Sequence, residues 1–208
     1  MTQIWYVTWQ RALSEREQQA LYALLPPQRR ARLDRTGDPA QRTQALCAYG
    51  LLRLALRRYA GLGTLSAIAL TERGKPYFPD LPDLHFSLSH TEGAALVGIS
   101  DRPVGVDIEK KRPLGRRVKE RLGAGLSEEA ALRRWTALEA QAKRSGKGVG
   151  EFLHRDIAEE HCISLEVGEG YYASAACQGA LTVRECAVED MIGSFMEEMK
   201  DGGLEYKS

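Results

Sequence analysis

Three segments, LHFSLSH (84–90), AALVGIS (94–100) and VGVDIEK (104–110), are separated only by the turn triplets TEG and DRP. Short apolar runs divided by two or three turn residues predict an antiparallel meander. Side chains alternate along a strand, so Val104, Val106 and Ile108 face one way while Gly105, Asp107 and Glu109 face the other. Two carboxylates therefore share a face at about 6 to 7 Å between Cα atoms, a spacing at which both can reach one hard divalent cation. In a meander the first and third strands run in the same direction, which brings His90 out at the sheet end that carries Asp107 and Glu109. Two strand spacings set the expected lateral separation at about 10 Å. Ser89 and His90 then become candidates for holding phosphate oxygens beside a cation. Each signal taken singly also describes an ordinary solvated strand face or a turn.

Working outward, the opening MTQIWYVTWQ alternates Ile4, Tyr6 and Thr8 against Trp5, Val7 and Trp9, a strand covered on both faces. Ser14 caps a helix that ends at Pro26-Pro27, and a longer helix is predicted from Pro39 to Tyr59 with Ala45, Leu46, Tyr49, Leu52 and Leu56 on its apolar face. A helix from Ser127 to Ser145 and a shorter helical stretch precede three further strand candidates, CISLEV, YYASAAC and LTVRECA. Helices followed by three strands, twice over, predict an α+β fold of two similar halves, each with helices packed on a small antiparallel meander sheet. The expected halves are residues 1–103 and 104–208. The tail after Met191 is expected to be a last helix that frays.

The 208-residue chain is 43% hydrophobic and 27% charged, which excludes a disordered or fibrous protein. Lys plus Arg (29) nearly balances Asp plus Glu (28), so any electrostatic partner must be met by a local patch. No apolar run approaches a membrane span and no signal peptide is evident, so a cytoplasmic protein without membrane contact is expected. Cys47, Cys162, Cys177 and Cys186 form no C-x-x-C pair and are expected to be reduced and mostly buried. Two basic clusters stand out: Arg29, Arg30, Arg32, Arg35 and Arg42, and the segment Lys110 to Arg121, in which seven basic residues face one acid. An aromatic content of 7%, without stacking residues interleaved among the basic ones, argues against a nucleic-acid-binding module. In RRWTALEAQAK, Glu139 and Lys143 fall four apart on a helical stripe. That spacing describes a common surface pair or, beside Asp107 and Glu109, a third carboxylate with its own counterion.

Together VGVDIE (104–109), WTALEAQAK (135–143), GKPYF (74–78), FSLSH (86–90) and GKG (146–148) occur in an order that resembles the 4′-phosphopantetheinyl transferases of the larger, pseudo-dimeric type that activates surfactin synthetase. The resemblance runs from Arg29 to Gly148. It departs from the family pattern at Leu138, where a lysine normally precedes the catalytic glutamate, and in a short insert of 28 positions from Asp107 to Trp135. A relative that binds coenzyme A without turnover is the alternative that Leu138 raises.

The resemblance implies transfer of 4′-phosphopantetheine from coenzyme A to a serine hydroxyl of an apo acyl or peptidyl carrier protein, with release of adenosine 3′,5′-bisphosphate. It implies Mg²⁺ on Asp107, Glu109 and Glu139, proton removal by Glu139, and charge compensation by Lys143. Ser89, His90, Arg42, Arg29 and Arg32 would hold phosphates, including the 3′-phosphate, while Lys75 and Pro76 line the adenine side. An acidic carrier would dock near Lys110 to Arg121. A monomer is expected, because two similar halves in one chain supply the cleft.

Overall fold

The computed structural model describes residues 1–123, 125–153 and 162–201. Its fold is α+β, with mixed sheets and helices on their outer faces. Strand β1 (Thr2–Thr8) leads to α1 (Glu15–Ala23), α2 (Pro27–Leu33) and α3 (Pro39–Ala60). A two-stranded ribbon, β2 (Ala69–Leu70) and β3 (Pro76–Tyr77), precedes the hairpin β4 (His85–Thr91) and β5 (Ala94–Ser100). Then follow β6 (Gly105–Lys110), α4 (Arg116–Leu122), α5 (Glu128–Ser145), a 3₁₀ turn at Val149–Glu151, β7 (Cys162–Leu165), β8 (Tyr171–Ala176), β9 (Leu181–Ala187) and α6 (Val188–Asp201).

The helices start and stop where local chemistry dictates. Ser14 and Glu17 form a reciprocal capping box on α1, which satisfies two of the backbone N–H groups that a helix start leaves open. Asp38 and Ser127 cap α3 and α5 through their side chains, and Pro39 takes the first position of α3. Helix α5 ends on Gly146, whose φ of 71° lies in the left-handed region that favours glycine. The arginine-rich break expected after Pro26-Pro27 is itself helical, as α2. The shorter helical stretch expected after GKG is a single 3₁₀ turn as far as it is described, and residues 154–161 lie outside the described residues. The expected last helix is α6, and residues 202–208 likewise lie outside.

Both expected meanders are corrected by the pairing. The first sheet runs β4-β5-β1-β9 and the second β6-β8-β7. Strand β5 already has β4 on one edge and β1 on the other, so VGVDIEK finds no free edge there and pairs antiparallel with β8. Strand β8 in turn is flanked by β6 and β7, so LTVRECA crosses back and pairs parallel with β1, Thr2 opposite Leu181 through Thr8 opposite Ala187.

The alternation read from the sequence decides what each face covers. Trp5, Val7, Val97 and Ile99 pack with α1, α3 and α6, against Leu21, Leu46, Leu52, Met191 and Phe195 among others. Ile4 and Leu96 point the other way and meet Val104, Val106, Ile108 and Ala175 of the second sheet. The two sheets thus share one apolar core between them, and α5 with α4 covers the far side of the second through Leu122, Leu132 and Leu138. Burial on this scale stabilises by about 25 cal/mol per Å² of apolar surface. No helix among the described residues is long and apolar enough to cross a membrane.

Candidate active site

The seam between the sheets is polar on one side, and FSLSHT builds it. Ser87, Ser89 and Thr91 alternate on one face of β4. The Ser87 hydroxyl accepts from the Val106 amide at 3.1 Å, the Thr91 hydroxyl accepts from the Lys110 amide at 3.3 Å, and the Ser89 hydroxyl donates to Asp107 Oδ1 at 2.8 Å. Strands β4 and β6 are therefore direct neighbours, and in place of the two strand spacings expected between the His90 strand and the Asp107 strand, side-chain hydrogen bonds join them.

The face of β6 that carries Gly105 and Asp107 meets α5 at very short range. A Cβ on Gly105 would lie 2.0 Å from the Ala140 carbonyl oxygen and 2.3 Å from the Arg144 nitrogen, so only glycine lets the helix lie this close. The contact sets Lys143 over Asp107. Its ammonium donates to Asp107 Oδ1 at 2.7 Å and to the Ser89 hydroxyl at 2.9 Å. The ion pair that Lys143 makes is thus with the strand, rather than the simple surface pair with Glu139 that their spacing also allowed. Asp107 is 5% exposed, and its Oδ2 is buried without a hydrogen-bond partner. Glu139 is half-buried beside these groups. Burial first, then the charges of Asp107 and Glu109, hold its carboxyl above the usual glutamate range, while Lys143 pulls the other way.

A cleft of about 610 Å³ opens between α2, α3, the β2–β3 ribbon, β4 and the C-terminal end of α5. Of the residues singled out from the sequence, Arg29, Arg32, Lys75, Pro76, His90, Glu139 and Lys143 line it. Arg29 is 7% exposed, with its guanidinium 5.9 Å from the Tyr49 ring centroid, and its Nε and Nη2 are buried without partners. A buried cation with open donors is costly unless an anion meets it. Lys75 donates to the Arg144 carbonyl, and burial lowers its ammonium below the ordinary lysine range. His90 Nδ1 lies 3.2 Å from Gln44 Oε1, and burial first, then Lys143, lower its pKa, which favours the neutral ring at pH 7. Ser89 and Asp107 sit behind Lys143 rather than in the cleft wall.

Other expected residues are placed elsewhere. Arg42 pairs with Asp34 at 3.5 Å and lies over the Tyr22 ring, outside the lining. Glu109 pairs with Arg112 at 3.0 Å. Leu138 is fully buried with Leu114, Leu122 and Leu132, turned into the α4–α5 seam and away from the cleft. Among the described residues no group of three or more His, Cys, Asp or Glu side chains is gathered to hold a metal ion, so the expected ligand set is not preassembled. In the basic segment, Lys110 pairs with Glu92, Arg112 with Glu109, Arg116 with Glu120 and Lys119 with Glu128, which offsets much of the charge counted from the sequence. Lys111, Arg117 and Arg121 are exposed and make no ion pair among the described residues.

Sequence reasoning missed Gln41, Gln44, Arg73 and Lys147. Gln41 lines the cleft one turn before Ala45 and two before Tyr49, on the stripe of α3 whose apolar residues predict a core face. Arg73 and Lys147 line the mouth of the cleft and share Glu151, each at 3.3 Å. Buried or half-buried thiols complete the inventory: burial pushes Cys47 and Cys162 up to about 12, which leaves them protonated and inert at neutral pH.

No protein-family model matches the chain. Among curated proteins it is 26% identical over 159 residues to the 4′-phosphopantetheinyl transferase Sfp of Bacillus subtilis, covering 70% of this chain and 71% of that protein. A second 4′-phosphopantetheinyl transferase of Bacillus subtilis is 32% identical over 111 residues, 53% of this chain and 50% of the relative. The 4′-phosphopantetheinyl transferase HetI of Nostoc sp. is 30% identical over 164 residues, 69% of each chain. The chain belongs to the 4′-phosphopantetheinyl transferases. In this transferase the cleft, the buried Arg29 and the Asp107–Lys143 pair are contributed by segments that lie far apart in the chain, and the fold joins them at the seam between its two sheets.

Proposed function

We propose that the transferase moves the 4′-phosphopantetheine group from coenzyme A to a serine hydroxyl of an apo acyl or peptidyl carrier protein, with Mg²⁺, and releases adenosine 3′,5′-bisphosphate. The observation that carries this reading is a buried arginine with two open donors in the same cleft as Glu139 and Lys143. A polyanion with an apolar base and a reactive pyrophosphate is the ligand such a cleft suits. Arg29 and Arg32 meet phosphate oxygens, His90 offers its ring, and Lys75 and Pro76 of the ribbon flank the adenine. Lys143 meets the pyrophosphate from the cleft wall, with Ser89 and Asp107 behind it.

The donor set fits a hard divalent cation, since Asp107 Oδ2 is open and every candidate ligand is a carboxylate oxygen. Asp107, Glu109 and Glu139 would hold it, with water and the pyrophosphate supplying the remaining oxygens. Bound there, a divalent cation would supply charge stabilisation to the pyrophosphate. Glu139, held above the usual glutamate range, accepts the serine proton directly or through a water. The serine oxygen forms a bond to phosphorus as the bond to the departing adenosine bisphosphate breaks, and the Lys143 ammonium offsets the charge on that leaving group.

The two-half organisation belongs to the same reading. In residues 1–103 a strand, its helices and a hairpin give the order β1-β5-β4, and in residues 104–208 the same sequence of elements gives β6-β8-β7, with β9 and α6 crossing back. This matching connectivity supports two similar halves within one chain. An acidic carrier is met by Lys111, Arg117 and Arg121 near α4. The test is to incubate the protein with coenzyme A, Mg²⁺ and several apo carriers and to weigh the carriers. A gain of one phosphopantetheine mass is expected, and no gain on any carrier, together with no binding of coenzyme A, overturns the reading.

A further inference from the structure

Asp107 is buried, yet only one of its oxygens is matched. Oδ1 takes the Lys143 ammonium at 2.7 Å and the Ser89 hydroxyl at 2.8 Å, while Oδ2 takes nothing. A carboxylate removed from water needs a counter-charge, and in the free protein Lys143 supplies it. The same ammonium is a barrier to a metal. A divalent cation on this carboxylate would stand within a few ångström of a fixed positive charge in a site with little water to screen it. The other two expected ligands do not compensate, because Glu109 is held by Arg112 and no ligand cluster is gathered among the described residues.

Lys143 also has a way out. Its side chain is 31% exposed and lines the cleft, whereas the Asp107 side chain, 7% exposed, does not. A lysine is a compact charge on a flexible four-carbon stem, so a change of rotamer carries it from the carboxylate to an anion in the cleft without moving α5. We propose that Lys143 occupies the cation position on Asp107 in the free enzyme, and that the metal enters only as an incoming pyrophosphate draws the ammonium away. Metal and coenzyme A then bind as a coupled pair. The inference rests on the transfer function proposed above and adds an order to it.

The experiment titrates Mn²⁺ into wild type and Lys143→Met, with and without coenzyme A, and counts free Mn²⁺ by electron paramagnetic resonance. For wild type, coenzyme A should tighten Mn²⁺ by about tenfold or more, an ordinary size for coupled sites. Lys143→Met should bind Mn²⁺ alone about tenfold more tightly than wild type, and coenzyme A should then add less. Wild-type affinity that ignores coenzyme A overturns the exchange, as does a Lys143→Met variant that binds Mn²⁺ no better than wild type. If wild type binds coenzyme A and transfers its group while either of those results holds, only the exchange has failed. If wild type binds no coenzyme A at all, the transfer function fails with it. Should Lys143→Met not fold, a crystal structure of wild type with Mn²⁺ and coenzyme A decides. The ammonium is expected beyond hydrogen-bond reach of Asp107, and an intact pair refutes the exchange.

Discussion

Arg29 carries its charge into the protein interior with two donors unmatched, and nothing in folding alone explains that arrangement. Removing a buried, partly unsatisfied charge often leaves stability unchanged or raises it, whereas removing it from an anion site costs about 1.5 to 3 kcal/mol per charged hydrogen bond. Arg29→Met should therefore melt no lower than wild type while binding coenzyme A at least about tenfold more weakly. Calorimetric melting and titration on the same sample check both halves of that statement. At this scale the sequence disclosed residue types better than partners. Strand and helix periods give the faces on which Asp107, Glu139 and Lys143 stand, and Arg29 falls in a basic cluster, but the roles expected of them come from the family resemblance alone. That Arg42 is occupied by Asp34 and Tyr22, that Leu138 is a core residue, and that Gln44 holds His90 are facts of tertiary packing, which spacing along one element does not encode.

The element that decides the site is the contact between β6 and α5. Gly105→Ala would press a methyl group into the backbone of Ala140 and Arg144, neither of which can yield as a side-chain tip does. Overpacking of this kind costs about 1 to 3 kcal/mol or more, and it should lower the urea midpoint and displace Lys143 from Asp107. An unchanged midpoint would show that the helix does not lie this close. Strand existence and facing were readable from period-two alternation, but strand partners were not. Turn lengths of three residues suggested meanders, and the pairing was settled instead by which edges remained free. With both edges of β5 and both of β8 occupied, β6 and β9 had to go elsewhere. Ser87, Ser89 and Thr91 then replace a backbone ladder between β4 and β6, so the polar alternation of β4 is the seam of the molecule.

For the whole molecule, a net charge of +1 leaves recognition to patches, and ion pairs within the basic segment reduce its patch largely to Lys111, Arg117 and Arg121. Reversing these three to Glu should raise KM for an acidic carrier by about tenfold and flatten its salt dependence. Affinity for coenzyme A should not move, since none of the three lines the cleft proposed to hold it. A carrier KM that ignores the reversal would place docking elsewhere. The overall balance of helices and strands was legible from the order of elements, whereas the return of β9 and α6 onto the first sheet has no local signature, because it depends on an edge of β1 formed some 180 residues earlier.

The most direct measurement compares wild type with Glu139→Gln at saturating coenzyme A and Mg²⁺, following phosphopantetheine transfer to an apo carrier and coenzyme A binding in parallel. Loss of a positioned acid–base group typically removes about 10²- to 10⁴-fold of rate. A fall of kcat by at least about 100-fold is expected, with coenzyme A affinity little changed. A variant that transfers at the wild-type rate contradicts it.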